Sequence, residues 1–349
     1  MEKKYFRIAA PFHTKDAIKS LKEAGADELY CGYVGRELSE KWPLAFNILN
    51  RRGEGHSFED YDHFREATET ARTHGMPVHV TLNGLYTPEQ YPLLYKLAKS
   101  IDQLEGVQGL IVADVGFLLF LKRHHFKTEI HMSTGGTCFN ASTLKFYENL
   151  GVKRVILDRQ LTSEEIKAMM ARSNTKSDIE VFIVNEPCGG FIDGFCTFSH
   201  CLENGEKTKI SKNVLLYEAY NVEQHPKGCD FYKRACVGEH CEKIDAATLR
   251  KMRMRPKSSF VDLKSLGCGV CGLYDLKNFP VKSLKIVGRG VSEAHTVQSI
   301  KFIAEVLRCL FQQGVTRKNY RKKCKKLCFE IMLQSKRLCT KKDCYFSVI

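Results

Sequence analysis

Eight short apolar runs, each followed by a longer amphipathic or irregular segment, set what this chain can fold into. The runs read YFRIAAP, ELYCGY, PVHVTLN, GLIVAD, EIHMS, RVILD, IEVFIVN and SLKIVG. They read as near-continuous apolar stretches rather than alternating ones, the pattern of parallel strands covered on both faces. Between them fall segments with helical periodicity, such as TKDAIKSLKEAGA, SFEDYDHFREATETARTHG and TSEEIKAMMARS. The second of these is expected to open on a cap at Ser57 with acids in its first turn. Eight such units in series specify an α/β fold, a TIM-type (β/α)8 barrel, over an open doubly wound sheet.

The beat breaks once, after the seventh strand, from about Pro187 to Gly267. The expected division is 1–186 for the first seven strands and 187–280 for a cysteine-rich, metal-binding insert. Residues 281–315 close the barrel, and 316–349 form a basic, cysteine-containing C-terminal tail. In a barrel of this kind chemistry sits at the C-terminal ends of the strands. Those ends carry His13, Cys31, Tyr33, Asn83, Asp114, Ser133, Thr134, Arg159, Asn185 and Arg289. Any one of them alone reads as a loop or helix cap; their convergence on one face makes the set a candidate site.

Fifteen cysteines in 349 residues call for an explanation. The opening residues MEKKYFRIAAPFHTKD hold no apolar signal core, and no run reaches the roughly 18 apolar residues of a membrane span. The expectation is a cytoplasmic protein without membrane association, where disulfides are disfavoured and metal binding is the better account of the thiols. Eight cysteines fall in or beside the insert: Cys188, Cys196, Cys201, Cys229, Cys236, Cys241, Cys268 and Cys271. Four thiolates suit tetrahedral zinc or an iron–sulfur cluster. A single tight knuckle, GCGVCG, and otherwise wide spacing favour the cluster over a zinc ribbon. Cys309 reads as helix core and Cys138 as a packing residue at a helix start. The tail cysteines Cys324, Cys328, Cys339 and Cys344 are compatible with a second metal, with completing the first site, or with neither.

The formal charge is +14, and residues 317–342 hold eleven Lys or Arg against one Glu. Such a run binds nucleic-acid phosphates or forms a solvated helix face; Tyr320, Phe329 and Met332 within it either pack or stack on bases.

Three motifs resemble the collagenase-like family-U peptidases. HMSTGGTCFNASTLKFYENLGVKRVILDRQLTSEEI resembles the family's mid-chain signature, with Arg159-Gln160-Leu161 where the family has Arg-Glu-Leu. EVFIVNEPCGGFIDGFC resembles the signature that follows, and SLKIVGR the closing Lys-Ile-x-Gly-Arg. Val184-Asn185 stands in place of the usual His-Gly, which resembles a less characterised branch. Several groups of this family are iron–sulfur proteins of oxygen-independent hydroxylation, acting on ubiquinone precursors or on tRNA and rRNA bases. The resemblance implies a [4Fe-4S] cluster on Cys188, Cys196, Cys229 and Cys271, with Cys236 a rival for the third ligand and Cys268 for the fourth.

The expected function is thus a non-proteolytic modification of RNA or a small aromatic substrate, with Arg159, Asn185, Lys285 and Arg289 as candidate catalytic residues. Arg159, Lys285 and Arg289 would grip a carboxylate or phosphate; for Lys285 and Arg289 the competing reading is a barrel-rim salt bridge. The alternatives are a peptidase, and a redox or scaffold subunit working beside a paralogous partner. The peptidase reading has no HExxH helix, no GxSxG elbow and no local Cys–His motif to stand on, although Cys31 or Cys138 with His131 or His13 supplies the residue types.

Overall fold

The structure, a computed structural model, describes residues 6–41, 49–50, 56–159, 161–184, 267–332 and 346. Eight parallel strands close into a barrel in chain order: β1 (Arg7–Pro11), β2 (Glu28–Gly32), β3 (Val78–Leu82), β4 (Val107–Val112), β5 (Glu129–Met132), β6 (Arg154–Ile156), β7 (Asp178–Val184) and β8 (Val281–Ile286). Closure is set by β1 pairing with β8 through Ile8 and Leu284. The eight expected strands are all present, each within a few residues of its apolar run.

The outer layer is built from α1 (Ala17–Ala24), α2 (Arg36–Lys41), α3 (Tyr61–Thr73), α4 (Tyr91–Asp102), α5 (Val115–Arg123), α6 (Ala141–Asn149) and α7 (Ser163–Ser173). After the insert follow α8 (Leu273–Leu276), α9 (Glu293–Leu310) and α10 (Arg317–Ile331). Helix α7 starts at a capping box, in which Thr162 and Glu165 satisfy each other's backbone N–H groups. Helix α3 differs from expectation: its cap is Asp60, whose side chain accepts from the His63 amide, and Ser57 lies in the preceding loop. An aspartate three residues closer to the first buried position, Phe64, leaves fewer orphan amides outside the helix.

The strands correct the sequence reading in one respect. Their outward residues, such as Leu29, Val78, Leu110 and Val181, are apolar and pack under the helices. Their inward faces are strongly polar: Glu28, His79, His131, Arg154, Glu180, Ser283 and Lys285 are all buried. Arg154 Nη1 donates to Glu28 Oε1 (2.7 Å) and Glu180 Oε2 (2.9 Å), and Nη2 donates to Glu28 Oε2 (3.0 Å). Lys285 Nζ donates to Glu180 Oε1 (2.8 Å), while the Ser283 hydroxyl donates to Glu28. Two acids and two bases give a neutral set, so ionic groups are tolerated where a barrel of this class usually carries branched aliphatics.

Helix α10 runs against the segment that leads from the insert into β8. Arg317 pairs with Asp275 (2.7 Å), and the buried Tyr320 hydroxyl donates to the Val270 carbonyl (2.8 Å). That segment begins beside β7, where Cys268 bridges Val184 and the Gly269 amide donates to the Ile183 carbonyl (2.8 Å). The tail helix therefore climbs from the flank of the barrel towards the C-terminal ends of the strands.

Candidate functional site at the barrel mouth

A cavity of about 70 Å3 opens at the C-terminal ends of the strands. Its floor is aromatic: Tyr30 from β2 and Phe182 from β7, with Ile111 and Ile156 beside them. Three cations reach into it, Arg159 after β6, Lys285 on β8 and Arg289 after β8, and no carboxylate lines it among the described residues. Asn50, Thr81, Asn83, Ser133 and Thr134 complete the polar wall.

Each cation is held in place. Lys285 Nζ lies 3.9 Å from the Tyr30 ring centroid while bonded to Glu180 behind it. Burial lowers the Lys285 pKa, so its ammonium is a readier proton donor than an exposed lysine. Burial also pushes the Glu180 carboxyl up, but Lys285 and Arg154 outweigh this and hold it at about 2. The Arg159 guanidinium stacks 4.5 Å from the Phe182 centroid. Arg289 donates through Nη1 to Thr81 Oγ1 (2.8 Å) and through Nη2 to the Asn50 carbonyl (2.6 Å). It can lie across the mouth because residue 32 is glycine: a Cβ there would stand 2.6 Å from Arg289 Nη1. Asn83 donates to Ser133 Oγ (3.4 Å), and its carbonyl oxygen is buried without a partner.

The strand-end set thus divides. Asn83, Ser133, Thr134, Arg159 and Arg289 meet at the cavity, joined by Lys285. Asp114 instead caps α5, accepting from the Phe117 amide (2.6 Å), and Tyr33 stacks on Phe64 in the helix layer. His13 is exposed and outside the cavity lining. Cys31 is buried, and burial raises its thiol pKa well above the ordinary value; Cys138, in the loop before α6 rather than in a helix, is pushed up to about 12. Both are protonated thiols, and neither is an activated nucleophile. Asn185, Cys188, Cys196, Cys229 and Cys236 lie outside the described residues. Lys285 forms a buried ion pair with Glu180 and also lines the cavity.

Sequence reasoning missed Tyr30, Phe182, Thr81 and Asn50. For Tyr30, Thr81 and Phe182 the signal was available in the strand alternation, since each follows an inward residue (Glu28, His79, Glu180) at a spacing of two. Asn50, in the segment between β2 and β3, had no such signal.

Cys268 and Cys271 are half-buried at the same end of the barrel, Cys268 bridged to Val184 and Cys271 on the short 3-10 turn Val270–Gly272. Cys268 is paired through its backbone with Val184, four residues before Cys188 in the chain. Among the described residues, no three His, Cys, Asp or Glu side chains gather into a metal site. The Cys268 and Cys271 thiols are soft donors at the side of β7. No helix of the described residues is long and apolar enough to cross a membrane.

Against known proteins, a tRNA hydroxylation protein of Escherichia coli K12 is 29% identical over 120 residues, 34% of this chain and 26% of that protein. Another of Bacillus subtilis 168 is 26% identical over 193 residues, 55% of this chain and 42% of the relative. A collagenase of Porphyromonas gingivalis W83 is 23% identical over 234 residues, 64% of this chain and 52% of the relative. The matches therefore cover from about a quarter to about half of the relatives' own lengths. The model of peptidase family U32 matches residues 13–342, nearly the whole chain, and the chain belongs to that family.

Proposed function

We propose that this chain takes part in hydroxylating RNA without oxygen, with a [4Fe-4S] cluster on Cys188, Cys196, Cys229 and Cys271. The observation that carries the reading is the mouth cavity: three fixed cations, an aromatic floor, no lining carboxylate among the described residues, and a cysteine knuckle at the same rim. The names of two relatives, both tRNA hydroxylation proteins, supply the substrate class.

The bound cluster, with all four irons held by thiolates, would supply one-electron chemistry. The chain's own residues do the rest. Arg159, Lys285 and Arg289 hold a carboxylate or phosphate over the Tyr30 and Phe182 faces, and the Asn83 carbonyl accepts an N–H or O–H from the bound group. Lys285, with its lowered pKa and Glu180 behind it, holds a proton at the cavity wall. A peptidase reading draws on the collagenase among the relatives, but burial pushes up the thiols of both its candidate nucleophiles, Cys31 and Cys138.

Protein purified without oxygen should be brown and carry about four irons and four sulfides per chain, and Cys271→Ser should lose them. Colourless protein with one zinc would replace the cluster by a structural site. RNA from cells lacking the chain should miss a hydroxylated nucleoside by mass spectrometry, restored by the parent and not by Arg159→Ala. An unchanged nucleoside profile would sink the RNA reading.

A further inference from the structure

Helix α10 carries its charge in an order that an isolated helix disfavours. Its first turn holds Arg317 and Lys318 and no acid, so cations sit at the positive end of the helix dipole. Arg317 and Arg321, Lys318 and Lys322, and Arg321 and Lys325 are like charges at i,i+4 spacing. The helix's one acid, Glu330, is paired with Lys326 at 3.6 Å, away from this face. Helix stability therefore does not explain the strip. What holds the helix is its other face, where Tyr320 and Cys324 are buried and Leu327, Cys328 and Ile331 pack on the core.

The five cations Arg317, Lys318, Arg321, Lys322 and Lys325 line one surface groove of about 570 Å3. The row Arg317, Arg321, Lys325 continues at the same spacing to Phe329, whose side chain is 61% exposed. From Arg317 to Phe329 the helix rises about 18 Å, the span of several phosphates. The Phe329 end lies towards the barrel mouth, because α10 meets Asp275 first and Val270 later. A cationic groove that ends in an exposed aromatic ring is the chemistry that recognises a single-stranded nucleic acid. Tyr320, the other aromatic of the run with a base-stacking reading, is instead spent on packing.

We propose that the exposed face of α10 is a track for single-stranded RNA, with phosphates on Lys318, Arg321, Lys322 and Lys325 and a base stacked on Phe329. The proposal rests on the RNA-substrate reading and adds the surface that delivers the strand to the mouth.

Binding of a fluorescein-labelled twelve-nucleotide oligouridine to the full chain, measured by anisotropy across a salt series, separates the two parts. Replacing Arg321, Lys322 and Lys325 together by Ala should flatten the slope of log affinity against log salt by about two, from the release of three counterions. Phe329→Ala should weaken binding roughly ten-fold and leave the slope unchanged, while Phe329→Trp should retain affinity. Thermal melting guards against misfolding, and the triple variant should melt no lower than the parent, since it removes like-charge pairs. If the parent binds and the variants bind identically, the track is wrong and the RNA reading survives. A parent that binds polyglutamate as tightly, with the same response to the variants, overturns the RNA assignment of this surface. A parent that binds neither oligouridine nor tRNA at low salt overturns the track together with the RNA reading, whereas RNA binding without a hydroxylated product overturns the reading alone.

Discussion

Arg154 sits between two carboxylates inside the barrel, and its guanidinium fork is used on both. Arg154→Met would leave Glu180 with Lys285 alone and Glu28 with only the longer contacts to the basic groups Arg7 (3.4 Å) and His79 (3.3 Å). The expected cost is about 3–5 kcal/mol, the price of an uncompensated buried charge, read from urea unfolding. A variant as stable as the parent would mean that the network is not ionised. Beside it, the His79 and His131 rings meet tilted, with centroids 4.7 Å apart, and both lean over Gly109. A Cβ at 109 would stand 2.6 Å from His131 Cε1, so Gly109→Ala should destabilise by about 1–3 kcal/mol through overpacking. An unchanged urea midpoint would show that the imidazoles can move aside.

His131 also gives the fold a pH dependence. Burial drives its pKa down to about 3, against 6.5 for an ordinary imidazole. Between those values the unfolded chain binds the extra proton, so stability is full above about pH 6.5 and is lost as the pH falls through the window. His295, half-buried, is shifted in the same direction and adds to the same slope. Glu180, held at about 2 against 4.5, adds a second loss only below about pH 4.5. Urea midpoints between pH 7 and 4.5 should therefore fall less steeply in His131→Gln than in the parent. Parallel slopes would place the titration elsewhere.

Among the elements, the tail helix most changes how the sequence is understood. Its run of lysines, read alone, is either a nucleic-acid arm or a solvated helix face. The structure separates two faces by burial: Tyr320 and Cys324 inward on the cysteine knuckle, Arg and Lys outward. Tyr320→Phe keeps the ring and loses the bond to Val270, for an expected cost of about 1 kcal/mol. Tyr320→Ala removes the ring that covers the knuckle, so Cys324 should react faster with a thiol reagent, followed by peptide mass spectrometry. Equal labelling rates would show that α10 stays docked without it. The strands were legible because burial under helices demands apolar outward residues; the inward polar residues were legible only as interruptions, since a two-residue alternation looks weak inside a five-residue strand.

At the scale of the whole molecule, barrel closure turns scattered strand ends into one site. Arg289 shows the consequence, since it anchors on Thr81 and Asn50, 208 and 239 positions earlier in the chain. Arg289→Lys keeps the charge but loses the two-point hold, and should lower the proposed RNA modification while leaving melting within a few degrees. Full modification with lysine would reduce Arg289 to a structural role. What the sequence by itself determined is the architecture and the family: eight apolar runs at βα spacing, and three motifs, each a short continuous stretch of sequence. Those are local signals, fixed by propensity and by neighbours a few residues apart. Which strand-end residues share the cavity, that the barrel interior is an ion network, and which face of α10 is exposed were decided by tertiary structure alone. Each depends on which distant strand or helix lies opposite, and a side chain's burial, partner and protonation follow from that neighbour rather than from its place in the chain.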